Sequence, residues 1–127
     1  MEYLTRKDFL ELLGMGEPKD YLEYLGTDSG WGHDYEDGMD LPGIDLSGKT
    51  LMQTGMIGAD LSNSNLSETN LMGADLRYAN LTGANLTKSN LTGASLDRAN
   101  LSYAKLYGAK LTGARCFEAD LRSAYLP

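Results

Sequence analysis

Reactive side chains are scarce in this sequence, and most of them lie near its beginning. The single histidine lies among carboxylates in residues 27–40, and the single cysteine, Cys116, lies far from it along the chain. The spacing of this histidine and the neighbouring carboxylates matches neither an EF-hand loop nor a zinc motif, so we predict no metal site. The residues considered as ligands are His33, Asp34, Glu36 and Asp37.

A catalytic centre is equally hard to assemble from these residues. Cys116 replaces one of a regular series of leucines, so we expect it to face inward as a small core residue. Serines are numerous but lack a histidine base, and there is no glycine-rich loop of the phosphate-binding type. We therefore predict no catalytic residues, no cofactor and no enzymatic activity.

The acidic segment of residues 27–40 contains several glycines and two aromatic residues, Trp31 and Tyr35. The simpler interpretation is a linker in which both aromatic side chains pack as anchors. The alternative is a recognition motif for a basic partner, with Trp31, Tyr35, Glu36 and Asp37 as candidate binding residues.

Charge is distributed unevenly along the chain. Residues 1–40 carry three Lys/Arg and eleven Asp/Glu, a net charge of −8, whereas residues 41–127 carry eight and seven, a net charge of +1. No basic surface for gripping phosphates is evident, so we predict no direct binding of nucleic acid. Neither a membrane span nor a secretory signal is expected, and the single cysteine fits a reducing, cytoplasmic setting.

A leucine recurs every five residues from Leu41 to Leu126, interrupted only by Met56 and Cys116. The residue two places before it is usually Ala, the residue just before it is mostly Asn or Asp, and Ser, Thr and Gly follow. A period of five fits neither a helix nor a flat strand. A chain that turns a corner every five residues would place the leucine and the small residue inside.

The units Ala59–Asn63, Ala79–Gly83 and Ala84–Lys88 resemble the A-(D/N)-L-x-x unit of the pentapeptide-repeat family. The resemblance covers residues 41–127 and implies a β-solenoid, a right-handed quadrilateral parallel β-helix with four units per coil. About four and a half coils would form a rod roughly 22 Å long. It also implies a bacterial origin, because the family is abundant in bacteria.

The first repeats depart from this pattern. Met39, Ile44 and Lys49 occupy inward positions that should be small, so we expect an irregular first coil, with regular coils from Thr54 or Ala59. Residues 1–26 contain helix signals and are predicted to form a short α-helical N-terminal cap over that coil. A partner-binding helix pair is the alternative.

Four units per coil would stack every twentieth residue and collect charged and aromatic side chains on one face. Ion pairs between coils are one interpretation of this face. A surface that docks a protein partner is the other, because Arg, Tyr and Phe are enriched in interface hot spots. The candidate partner-binding residues are Arg77, Tyr78, Arg98 and Phe117.

The last registered residues should leave an apolar end on the solenoid. We expect a homodimer formed through the C-terminal coil, with Leu121, Tyr125 and Leu126 as the candidate dimer end.

Because Leu and Ala would fill the interior, function must reside on the outer faces or the ends. We therefore predict a non-enzymatic interaction or scaffold module with an unidentified protein partner. One alternative is a DNA-mimic modulator of a type II topoisomerase, since some members of the family protect gyrase, but that mimicry requires a negative rod. The other is a purely structural protein.

Overall fold

The computed structural model describes residues 41–127. The predicted helical cap of residues 1–26 and the acidic segment of residues 27–40 lie outside the described residues, as does Met39. The predicted solenoid of residues 41–127 coincides with the described part.

Single bridged residues, not helices or extended strands, build the described part of the chain. In each pentapeptide the residue before the central leucine forms a parallel bridge with the residue twenty positions later, from Asp45 and Asn65 through to Lys105 and Tyr125. Twenty residues, or four pentapeptides, therefore make one coil, and successive coils stack in register.

A β-turn follows every central residue from Leu41 to Leu121. In the unit around Leu81, the carbonyl oxygen of Leu81 accepts a hydrogen bond from the amide of Ala84 at 3.0 Å. The third turn residue, Gly83, has a positive φ of 68°, and this combination defines a turn that favours glycine or asparagine at that position. Every equivalent position from Gly43 to Ser123 also has positive φ, which explains why glycine recurs there.

Asn and Asp stabilise the beginning of the same turns. The Oδ1 atom of Asn80 accepts hydrogen bonds from the amide of Thr82 at 3.1 Å and from its hydroxyl at 2.6 Å. Local bonds of this type explain the recurrent Asn or Asp before each leucine and the Ser or Thr after it. The same pair of bonds is formed by Asp45–Ser47, Asp60–Ser62, Asn65–Ser67, Asn85–Thr87, Asn90–Thr92 and Asn100–Ser102.

The interior consists of stacked leucines and alanines. Leu61, Leu81 and Leu101 share one column, and each is at most 1% exposed. The small polar residues predicted to face inward are buried as well, and the hydroxyl of Ser64 donates a hydrogen bond to the carbonyl oxygen of Leu61. The predicted apolar interior is confirmed from Leu41 to Ala109, except at Lys49.

The predicted irregularity of the first coil is wrong for the residues that the structure describes. The amide of Leu41 already bonds to the carbonyl oxygen of Asp60 at 2.8 Å, and the Asp45 bridge follows the regular register. Bonds between coils use the backbone, so they tolerate larger side chains in the small positions. Ile44 is buried within the core, whereas the side chain of Lys49 reaches the surface.

The prediction that Cys116 is a core residue is also wrong, because this side chain is exposed. In the described structure no coil stacks on residues 107–127, so even central positions there lack a cover on one side. Partial burial raises the pKa of the Cys116 thiol, and the nearby charge of Asp97 adds to the effect. Both effects disfavour the thiolate and hence nucleophilic chemistry.

A candidate docking face

One face of the solenoid carries three of the four described arginines together with the exposed rings of Tyr78 and Phe117. We call it the arginine face, and it consists of residues 54–58, 74–78, 94–98 and 114–118. Parallel bridges connecting Gly55 to Asp75, Asp75 to Ser95 and Ser95 to Arg115 hold these four units in register. The structure therefore brings together Arg77, Tyr78, Arg98 and Phe117, as predicted from the twenty-residue spacing.

Arg77 is held by a carboxylate of its own pentapeptide. Its Nε donates to Asp75 Oδ1 at 2.8 Å, and its Nη2 donates to Asp75 Oδ2 at 2.7 Å. Asp75 stands in the position that Asn occupies in six other units, and its Oδ1 also accepts the backbone amide of Arg77. The bidentate pair fixes the plane of the guanidinium on the surface.

Arg98 lies between two aromatic rings from neighbouring coils. Its guanidinium carbon is 5.6 Å from the centroid of the Tyr78 ring and 5.7 Å from that of Phe117. Both distances fit cation–π contacts. Its Nη1 also donates to the Tyr78 hydroxyl at 2.9 Å, and its Nη2 lies 3.5 Å from Glu118 Oε1.

Arg115 pairs with a carboxylate of the coil before it, with Nη2 2.9 Å from Asp97 Oδ2. The other oxygen of Asp97 accepts the amide of Phe117 at 2.9 Å. In ten other described units that amide is bonded by an Asn or Asp of the same pentapeptide, but here Arg115 occupies that position. Asp97 thus replaces the local acceptor and connects two coils.

These contacts confirm the predicted ion pairs between coils. Two of the pairs, Arg98–Glu118 and Arg115–Asp97, connect successive coils, whereas Arg77–Asp75 lies within one unit. Exposed ion pairs of this kind contribute little to stability. Their presence therefore does not exclude a second role for the face in docking a partner.

Two surface depressions interrupt the arginine face. One, of about 380 Å³, is lined by Ile57, Gly58, Arg77 and Tyr78. The other, of about 310 Å³, lies between Arg77 and Arg115 and includes Ser95, whose Oγ is buried without a hydrogen-bond partner. Sequence reasoning missed Ile57 and Ser95 as parts of this surface, although the twenty-residue spacing places both on the same face.

The remaining predicted site residues form two groups. Trp31, Tyr35, Glu36 and Asp37 lie outside the described residues. The candidate dimer end is exposed on the last coil, with Leu121 and Leu126 open to solvent and the Tyr125 ring 5.6 Å from that of Tyr107.

In residues 41–127, no group of three or more His, Cys, Asp or Glu side chains could hold a metal ion. The same residues include no helix long and apolar enough to cross a membrane.

Comparison with protein families identifies pentapeptide repeats, in eight copies, over residues 56–93 and 79–115. Among solved structures, the pentapeptide repeat protein alr5209 of Nostoc PCC 7120 is 31% identical with a TM-score of 0.61, and the match covers 73% of this chain and 89% of that one. Rfr23 of the cyanobacterium Cyanothece 51142 is 37% identical with a TM-score of 0.50, covering 69% of this chain and 64% of Rfr23. The chain thus spans just under two thirds of Rfr23. A comparison with curated proteins found no match.

The stacked twenty-residue coils and their leucine interior define a β-solenoid repeat protein. The chain belongs to the pentapeptide-repeat family. Membership and the similar structures imply that the solenoid is a right-handed quadrilateral β-helix.

Proposed function

We propose that this protein is a non-enzymatic docking module, a rod of about four and a half coils that presents the arginine face to a protein partner. The observation that carries the proposal is the clustering of three arginines, Tyr78 and Phe117 on one rigid face. Elsewhere, most outward positions of the described coils carry Asn, Ser, Thr or Gly.

The composition of this face supports a docking role. Arg, Tyr and Phe contribute disproportionately to the binding energy of protein interfaces. The Arg98 guanidinium is already held between the Tyr78 and Phe117 rings, so the Arg98 side chain would lose little additional conformational entropy when a partner binds there.

The closed interior supports a role without catalysis. Leucine and alanine side chains fill most of the interior from Leu41 to Ala109, and both depressions named above lie on the surface. The pKa of the Cys116 thiol is raised, which is the opposite of an activated nucleophile. A bacterial, cytoplasmic setting is part of the proposal, supported by the cyanobacterial sources of both similar structures and by the single cysteine.

A matched pair of tyrosines tests the docking proposal. Tyr78 and Tyr103 occupy the same turn position, each with φ 61°, and are 56% and 62% exposed, but only Tyr78 lies on the arginine face. A partner captured from the native host would be purified and its affinity measured for each variant. We expect Tyr78→Ser and Phe117→Ser to weaken binding roughly tenfold or more, and Tyr103→Ser to leave it unchanged. Equal binding by all variants would refute the docking role of this face.

We further propose that two copies associate through the C-terminal coil, supported by the exposed side chains of Leu121, Tyr125 and Leu126. Light scattering of the full chain at tens of micromolar should give twice the monomer mass, and Leu126→Asp should restore the monomer. A monomer for the unaltered chain would rule out this association.

Charge does not favour the alternative of a DNA-mimic topoisomerase modulator. That function requires a strongly negative rod, whereas residues 41–127 carry a net charge of +1. A gyrase supercoiling assay distinguishes the two functions, since a docking module of the proposed kind leaves supercoiling unchanged. A purely structural protein would bind no partner at the arginine face.

A further inference from the structure

We propose that the partner surface received by the arginine face is acidic: an extended protein segment whose carboxylates contact Arg77 and Arg115 and whose apolar side chains contact Tyr78 and Phe117. This inference rests on the proposed docking function and specifies the chemistry of the partner.

The charges of the arginine face cancel in number but differ in exposure. The side chains of Arg77, Arg98 and Arg115 are 46%, 47% and 72% exposed. Those of Asp75 and Asp97 are only 10% and 11% exposed, because both carboxylates lie beneath the guanidiniums, and only Glu118, at 58%, is open to solvent. Among the described residues of this face, a partner therefore meets three exposed cations and one exposed anion.

The buried carboxylates also fix the arginines in place. Asp75 holds Arg77 by two hydrogen bonds, and Asp97 pairs with Arg115 while its other oxygen is bonded to the Phe117 amide. Each guanidinium presents five donors in a planar fork, and the Asp97 pair engages Arg115 through Nη2. Donors oriented in advance reduce the entropic cost of binding a carboxylate.

The spacing of the face suits an extended segment. Arg77 and Arg115 lie on coils two apart, a separation of about 10 Å along the axis at the usual ~4.8 Å between paired strands. In an extended chain, side chains two residues apart lie about 7 Å from each other on the same side, and flexible glutamates can span the difference. The 310 Å³ depression between the two arginines leaves room for such side chains.

Carboxylates fit this face better than a nucleic acid does. A phosphate backbone requires a dense positive footprint, whereas here Glu118 is exposed beside Arg98 and the described residues carry only +1. Exposed Tyr78 and Phe117 add apolar area that a mixed acidic and apolar peptide can cover.

Fluorescence anisotropy of the full-length chain tests the inference. The probe is a short fluorescein-labelled peptide of alternating glutamate and serine with one central phenylalanine. Its controls are the same peptide with lysine in place of glutamate and a labelled oligothymidine of similar length. We expect saturable binding of the glutamate peptide alone. No saturable binding, equal binding of the lysine peptide, or tighter binding of oligothymidine would overturn the proposal.

Two variants with matched chemistry locate the site. Arg77–Asp75 and Arg122–Asp120 are the same kind of pair, each with Nη2 2.7 Å from Oδ2, but Arg122 lies on a different face. We expect the double variant R77Q/R115Q to lose affinity for the glutamate peptide roughly tenfold or more, whereas R122Q retains it. Far-ultraviolet circular dichroism confirms that each variant is folded. Equal loss in R122Q would assign the binding to non-specific charge and overturn the proposal.

A failure of the acidic-partner proposal can be distinguished from a failure of the docking function. If a purified partner depends on Tyr78 and Phe117 but binds R77Q/R115Q normally, docking stands and the acidic partner is refuted. If the partner ignores Tyr78 and Phe117, the proposed docking function is refuted instead.

Discussion

Individual residues in the inward position two places before each leucine show how this core accommodates small polar side chains. Alanine fits there without polar atoms, while Thr54, Ser64 and Thr69 fit because each hydroxyl bonds to the carbonyl oxygen three residues earlier. Ser89 is equally buried, but its Oγ has no hydrogen-bond partner. A buried polar atom without a partner costs free energy that an alanine would avoid.

Ser64 and Ser89 therefore form a matched pair for mutation, since both are 1% exposed. We expect Ser64→Ala to lower the free energy of unfolding by about 1 kcal/mol, because it removes the 2.6 Å bond to Leu61. Ser89→Ala should leave stability unchanged or increase it. Urea denaturation followed by circular dichroism measures both, and an equal loss in the two variants would contradict the assignment.

The turn is the element that the sequence specifies most strongly. Its pattern of Asn or Asp, Leu, and Ser or Thr predicts the local bonds that the structure shows, because all three residues lie within one pentapeptide. Asp120 and Arg122 form a variant of this turn at the last coil. The Arg122 amide donates to Asp120 Oδ1, and its Nη2 donates to Oδ2 at 2.7 Å.

The Asp120 turn should respond to acid. The side-chain and backbone hydrogen bonds from Arg122 lower the pKa of Asp120 from 3.8 to about 2. A carboxylate with a lowered pKa in the folded protein contributes stability above about pH 4, and that contribution is lost as the pH falls towards 2. NMR titration should place the Asp120 pKa near 2 and show that R122Q returns it towards 3.8. R115Q is the control and should leave it unchanged.

The prediction of an irregular first coil is wrong because a side chain can leave its expected position while the backbone keeps its register. Lys49 occupies an inward position by register, yet its chain is long enough to reach the surface without disturbing the backbone. The bonds between coils near Leu41 do not depend on side-chain identity, which is why an unusual sequence there still forms a regular first coil.

At the scale of the whole molecule, burial depends on position along the stack. A central coil is covered on both sides, whereas residues of the last coil are covered on one. Leu81 is therefore fully buried, and Leu121, two coils further along the same column, is 38% exposed. In stacked repeats each unit derives its stability largely from its neighbours.

This difference predicts unequal costs for the same substitution. Leu81→Ala should lower the free energy of unfolding by about 3 kcal/mol, because it leaves a cavity between two coils. Leu121→Ala should cost about 1 kcal/mol, since less area is buried and the site can relax. Urea denaturation of the two variants tests this, and equal costs would indicate that the last coil is covered in solution.

The twenty-residue stacking, and with it the membership of the arginine face, followed from the resemblance to the pentapeptide-repeat family. The five-residue period by itself determined the leucine and alanine interior and the turn positions. It could do so because inward and outward directions are set by turn bonds within each pentapeptide. Only the tertiary structure decided that Cys116 is exposed, that Asp75 and Asp97 lie beneath their arginines, and that Arg98 lies between two rings. Those features depend on how stacked side chains contact one another and on how deeply each is buried. The repeat pattern specifies neither the contacts nor the burial.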